Sequence, residues 1–201
     1  MPDLRLEREL IESGTEPVAG IDEAGRGPLA GPVAAAAVIL PSGYRHELLD
    51  DSKKLTARRR ETLFKEITTD PGICWGLSFV EVPEIDGLNI LRATHAAMGR
   101  AALALESRPA FCLIDGLDVP RFPLASRGVV KGDGISFSIA AASIIAKVSR
   151  DRRMQELAEE FPVYGFEKHK GYGTKAHLEA LRRHGPCREH RRSFAPVAEL
   201  V

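Results

Sequence analysis

Three apolar runs in this chain each lead to an acid closely followed by glycine. The run 18–21 enters Asp22-Glu23 and then Gly25, 111–114 enters Asp115-Gly116, and 129–130 precedes Asp133-Gly134. A short apolar run ending in an acid and a glycine reads as a buried strand passing into a turn. Strand ends that converge in a sheet hold their last side chains rigidly, and converging carboxylates repel one another unless a hard cation sits among them. One such run is ordinary strand punctuation. Three in 201 residues predict a sheet with an oxygen-lined site for divalent ions, the apparatus of metal-dependent phosphoryl transfer.

Asp22, Glu23, Asp115 and Asp133 are the candidate metal ligands and catalytic groups. Successive side chains of a strand point to opposite faces, so Asp22 and Glu23 cannot both meet one ion from a regular strand. Either Ala24-Gly25 turns the chain or the longer Glu23 reaches around. Donors that are all oxygen select Mg²⁺ or Mn²⁺ over zinc. With two ions, one activates a water and the other stabilises the leaving oxygen.

A length of 201 residues with 44% hydrophobic and 28% charged residues suits one domain with one substantial core. The cysteines, Cys74, Cys112 and Cys187, are odd in number and far apart, which fits a reducing, cytoplasmic compartment and offers no zinc chelate. The first 16 residues carry five acids against Arg5 and Arg8, unlike a secretory or transit peptide. The run 33–40, fenced by Pro32 and Pro41, is too short to span a bilayer, so no membrane role is expected.

The zero net charge conceals an asymmetry. Residues 163–192 hold eight Lys or Arg against three Glu, and four of the six histidines. An acidic cluster in one region and a basic stretch in another fit a polyanion lying across both, although charge alone is equally well read as a solvated helix face. Tyr164-Gly165-Phe166 and Gly171-Tyr172-Gly173 interleave aromatics with the lysines, as expected where a sugar or base packs on an exposed ring.

Periodicity predicts helices over 4–12, 56–67, 89–105, 138–161 and 174–184, and strands over 18–22, 33–40, 73–82, 111–114 and 129–130. The first half of 138–161 is almost uncharged and must be buried on most sides. Thr174 is placed to cap the last helix and Gly185-Pro186 to end it. The expectation is an α/β domain with a mixed sheet and a helical, basic C-terminal portion.

Gly25-Arg26-Gly27-Pro28-Leu29-Ala30 also fits a dinucleotide fingerprint, but that motif needs a helix to follow, whereas Pro32 and a short apolar run come next. A glycine-rich connection beside a metal site instead lets backbone approach a ligand closely, with Arg26 adding charge.

Six blocks together resemble the ribonuclease HII family, the bacterial type 2 ribonucleases H: Gly20-Ile21-Asp22-Glu23-Ala24-Gly25-Arg26-Gly27-Pro28, Asp51-Ser52-Lys53-Lys54-Leu55, Leu113-Ile114-Asp115-Gly116, Lys131-Gly132-Asp133, SIAAASIIAKVSRD at 138–151, and His169-Lys170-Gly171-Tyr172-Gly173-Thr174. They come in family order and are spread over most of the chain. The resemblance implies a ribonuclease H-like fold over 1–201, helical from about 160, and an endonuclease that cleaves the RNA strand of RNA/DNA hybrids. It implies nicking on the 5′ side of single ribonucleotides in duplex DNA, leaving 3′-hydroxyl and 5′-phosphate ends and starting ribonucleotide excision repair.

By the same resemblance Asp22, Glu23, Asp115 and Asp133 are the metal quartet. Gly25, Arg26 and Gly27 contact the ribose 2′-hydroxyl, the group that distinguishes RNA from DNA, and Tyr172 packs on the sugar at the junction. Ser52, Lys53, Lys170 and Thr174 match phosphate contacts. Lys147 is either another such contact or a structural partner of a carboxylate, and Ser143 and Ser149 are read as helix-packing residues. Gly134 stands where many members have serine. The C-terminal residues 198–201 lack the glutamine and paired aromatics of a sliding-clamp docking tail, so the sequence gives no support for clamp binding.

Overall fold

A computed structural model describes residues 2–46, 48, 49, 52 and 55–200. Five strands, β1 (Val18–Ala24), β2 (Val33–Ile39), β3 (Cys74–Val80), β4 (Phe111–Asp115) and β5 (Ser126–Val129), form one sheet in the order β3-β2-β1-β4-β5. β1 pairs antiparallel with β2 and parallel with β4, and β4 pairs parallel with β5, so the sheet is mixed.

Alternation along β1 sorts the molecule into layers. Ala19 and Ile21 face α4 (Ile90–Leu103), packing with Ala93, Ala97, Met98 and Ala101. Val18 and Gly20 face the opposite side, against α5 (Phe137–Glu160). α2 (Ala57–Thr69) completes that side, with Leu63 and Ile67 meeting Ala36, Val38 and the alanine-rich half of α5. Fourteen residues of α5 are buried, as its uncharged first half requires. Small side chains let this helix lie close to the sheet. A Cβ on Gly20 would stand 2.2 Å from the backbone of Ser138 and Ile139. Gly20→Ala must therefore push α5 outward, and thermal unfolding should show a loss of about 2 kcal/mol; an unchanged midpoint would contradict this packing.

The remaining helices are α1 (Arg5–Glu12), α3 (Val82–Leu88), α6 (Phe166–His169), α7 (Lys175–His184) and α8 (Ala195–Ala198). The chain after 160 is thus helical in short pieces, with α7 capped by Thr174 as expected. α3 is a departure: the strand expected over 73–82 stops at Val80, and Pro83 opens a helix at its first turn. No helix among the described residues is long and apolar enough to cross a membrane.

A second departure concerns Asp133. The third apolar run does not carry its acid at a strand end, because β5 stops at Val129 and Val130 is exposed. Lys131 adopts a left-handed conformation (φ 60°) that reverses the chain into a 3-10 turn, Gly132–Gly134, with Asp133 at its middle. This turn leads directly into α5, whose N-terminus Ser136 caps by accepting from the Ile139 amide at 3.2 Å.

Candidate active site

Ile21 of β1 pairs with Ile114 of β4, so Asp22 and Asp115 come one rung later on neighbouring strands, on the α5 face. Gly132 donates its amide to Asp115 Oδ1 at 2.7 Å, which draws the 3-10 turn against the end of β4. Asp133 is thereby delivered beside the other two. One carboxylate oxygen from each of Asp22, Asp115 and Asp133 lies within 4.8 Å of the others. Asp22 is 4% exposed, and its carboxyl titrates well above the usual carboxylate range, first because of burial and then because Glu23 and Asp115 stand close. A site whose central carboxyl, that of Asp22, resists ionisation by itself and whose donors are all oxygen is chemically suited to a hard divalent ion.

Glu23 lies on the other face of β1, as strand alternation requires, because the strand runs on to Ala24 rather than turning early. Its Oε1 meets Arg26 Nη1 at 3.4 Å. It borders both the 240 Å³ cleft above Asp22 and a neighbouring 360 Å³ hollow toward His95 and Leu117, so it stands on the rim between them.

The cleft is walled by Gly25, Arg26, Gly27, Ser52, Ser143, Lys147, Arg150 and Tyr172, besides Asp22, Glu23 and Asp115. The glycine connection owes its shape to two buried guanidiniums. Arg191 donates to the carbonyls of Gly25 at 2.6 Å, Arg26 at 3.0 Å, Gly31 at 2.8 Å and Pro32 at 3.2 Å. Arg150 donates to Pro32, Ala30 and Lys170, joining this loop to the one that carries Tyr172. Burial pulls Arg150 down to about 10 and, together with its neighbour Arg150, pulls Arg191 down to about 9, so both remain cations at neutral pH. Gly25 has φ +99°, and a Cβ there would stand 1.9 Å from Arg150 Nε. Only glycine fits.

Comparison with known proteins agrees with this architecture. The ribonuclease HII family model matches residues 19–197. The chain belongs to the ribonuclease HII family. A Desulfitobacterium hafniense ribonuclease HII is 55% identical over 198 residues, covering 98% of this chain and 76% of that protein. A Chlamydia trachomatis ribonuclease HII is 53% identical over 196 residues, covering 98% of this chain and 90% of its own. Among solved structures, the ribonuclease H2 of Pyrococcus horikoshii OT3 superposes with a TM-score of 0.75 at 26% identity, covering 91% of this chain and 96% of the other. The fold is that of ribonuclease H, and the protein is a hydrolase, an endonuclease of the ribonuclease H class directed at RNA/DNA.

The ribonuclease HII fold brings some expected residues together and leaves others apart. Gly25, Arg26, Gly27, Ser52 and Tyr172 meet on one cleft, and Gly27 stands 3.6 Å, measured from an added Cβ, from the Tyr172 ring edge. Lys170 and Thr174 lie outside its walls. The Thr174 hydroxyl accepts from the His177 amide as the helix cap, while burial lowers Lys170 below its ordinary value. Lys53 lies outside the described residues. Lys147 Nζ pairs with Asp151 Oδ1 at 2.7 Å, the structural alternative, while still reaching the cleft. Ser143 also reaches the cleft, its hydroxyl donating to Ser52 Oγ at 2.7 Å.

The sequence reading holds at one further point and is narrowed at another. The glycine motif is followed by the antiparallel strand β2 and not by a helix, so the dinucleotide geometry does not form. The basic stretch is also not wholly available to a partner, since Arg191 is fully buried and Arg188 pairs with Glu160.

Proposed function

We propose that this enzyme nicks duplex DNA on the 5′ side of a single embedded ribonucleotide, as well as cutting continuous RNA/DNA hybrids, and leaves 3′-hydroxyl and 5′-phosphate ends. One observation carries the reading: three carboxylates gathered within 4.8 Å adjoin the cleft that also holds the Gly25-Arg26-Gly27 loop and Tyr172. Asp22, Asp115 and Asp133 would hold a pair of Mg²⁺ or Mn²⁺ ions, with Glu23 at the rim. When bound, such ions supply activation of a water and neutralisation of charge at the phosphate. The chain's own residues supply selection. The glycine loop admits a sugar close enough for its backbone to test the 2′-hydroxyl, Tyr172 packs on the next sugar, and Ser52, Arg26 and Lys170 steady phosphates. The cellular role that follows is the first cut in removing ribonucleotides from DNA, in the cytoplasm.

The deciding assay is a labelled DNA duplex with one ribonucleotide, incubated with and without Mg²⁺ or Mn²⁺. A metal-dependent nick beside the ribose is expected; binding without any nick would make this a recognition module instead. Tyr172→Ala should reduce kcat/KM on that duplex by about tenfold, the scale of one lost stacking contact, and by less on a continuous hybrid. Equal losses on both substrates would remove Tyr172 as the sensor of the junction.

A further inference from the structure

Behind the Tyr172 loop lies a histidine network that the chemistry above does not use. His177, at 0% exposure, points Nδ1 at the Tyr172 carbonyl, 2.9 Å away. Its Nε2 faces Nε2 of His190, itself 1% exposed, at 3.1 Å. The Nδ1 of His190 receives the Cys187 amide at 3.0 Å.

These contacts leave one arrangement of protons. A carbonyl only accepts, so the hydrogen of His177 is on Nδ1 and its Nε2 is a bare acceptor. His190 must then donate from Nε2, which frees its Nδ1 to accept from Cys187. Both rings are neutral, in opposite tautomers. Burial holds both below the ordinary imidazole value, His190 at about 4 with His177 as its second cause. His169, stacked on His177 at 4.4 Å, obeys the same logic: Nε2 donates to the Tyr164 carbonyl and Nδ1 accepts from Gly171. Cys187 Sγ lies 3.1 Å from His190 Nδ1, but with both nitrogens of His190 committed, this set is not a metal site.

The network ends on the backbone of the residue that presents the cleft's exposed ring. Tyr172 donates its amide to His169 O at 2.9 Å, and the preceding carbonyl, that of Gly171, accepts from Leu29 in the glycine loop at 2.8 Å. His190 is bridged to Ala30 of that same loop. We propose that His177 and His190 are positioning residues that fix the Tyr172 carbonyl, hence the distance of its ring from Gly27, and so set the preference for a ribose followed by deoxyribose. This rests on the reading of Tyr172 given above.

The test joins spectroscopy to kinetics on the full chain. Imidazole ¹⁵N NMR should show His177 as the Nδ1–H tautomer and His190 as the Nε2–H tautomer. His177→Leu, which removes the side-chain donor and leaves that carbonyl only the Thr174 amide at 2.8 Å, should lower kcat/KM on the single-ribonucleotide duplex by about tenfold, the worth of one buried hydrogen bond, with a smaller loss on the continuous hybrid. His177→Asn, whose amide nitrogen replaces Nδ1, should restore most of that ratio. Should His177→Leu not fold, His190→Leu, which removes the partner holding the His177 tautomer, should shift the ratio in the same direction. Wild-type protein that fails to nick beside a ribonucleotide overturns this inference together with the proposed function. Wild-type protein that nicks, combined with reversed tautomers or variants of unchanged substrate ratio, overturns this inference alone.

Discussion

Asp22→Asn should be nearly inactive and yet, without divalent ions, more stable than the wild type. Activity should fall by at least about 10³-fold, since the substitution removes charge from the centre of the acidic cluster that would hold the ions. Stability moves the other way because Asp22 is buried and its carboxylate is opposed by Glu23 and Asp115. The sign follows from its raised value. Below the ordinary carboxylate value of 3.8, Asp22 is protonated in both folded and unfolded chains, and the acid costs nothing. As pH rises through that value the unfolded chain ionises first, and above the folded value the full penalty is present. Replacing a buried charge in this setting with an isosteric neutral group is worth about 1 kcal/mol or more, a rise of about 2–4 °C in midpoint for a chain of this size. The gain should fade as the pH is lowered toward 4 and reverse when Mg²⁺ or Mn²⁺ is added, since ions stabilise only the wild type. Scanning calorimetry at two pH values, with and without ions, measures all of this. A metal-free midpoint lower than wild type at neutral pH would show that Asp22 is not under electrostatic strain.

The frame of this site was legible because it depends on local pattern. β1, β2 and β4 announce themselves by apolar runs and flanking Gly or Pro, and α5 by its long uncharged face. Strand alternation also anticipated the odd position of Glu23, which lies on the far face of β1. What the pattern could not carry is tertiary. The short helices α3, α6 and α8 have four to seven residues, too few for a periodic signal. The path of Lys131 into the left-handed region, which removes Asp133 from a strand end, is rare for a non-glycine residue. Arg150, Arg191, His177 and His190 were missed for a different reason: a charged or polar residue reads as solvated unless its partners are known, and here the partners are backbone carbonyls or rings far away in the chain. The signal available was the crowding of histidines at 169, 177, 184 and 190, which suggested a polyanion site but in part builds the wall behind one.

Arg191 provides the sharpest test of that wall. Its guanidinium is buried, lies over the Phe194 ring at 5.1 Å, and satisfies carbonyls of Gly25, Arg26, Gly31 and Pro32, with no carboxylate among the described residues in hydrogen-bonding contact. Truncation to alanine strands several buried acceptors at once. At about 1–3 kcal/mol for each acceptor left unsatisfied, Arg191→Ala should lose more than about 4 kcal/mol and yield little folded protein. Arg191→Lys keeps the charge but not the planar fork, since one ammonium with three donors cannot span carbonyls on both sides of the loop. We expect it to fold with a loss of about 2–3 kcal/mol and to show a raised KM, because the Gly25-Arg26-Gly27 backbone is no longer held in shape. Mn²⁺ affinity, read by titration, should stay within about twofold of wild type, since Arg191 acts on the glycine loop and not on the three clustered acids. This split between substrate and ion is what separates a scaffold for the glycine loop from a general support of the fold. A lysine variant with wild-type KM and stability would mean that the loop keeps its conformation without the fork, and the glycines alone would then account for its shape.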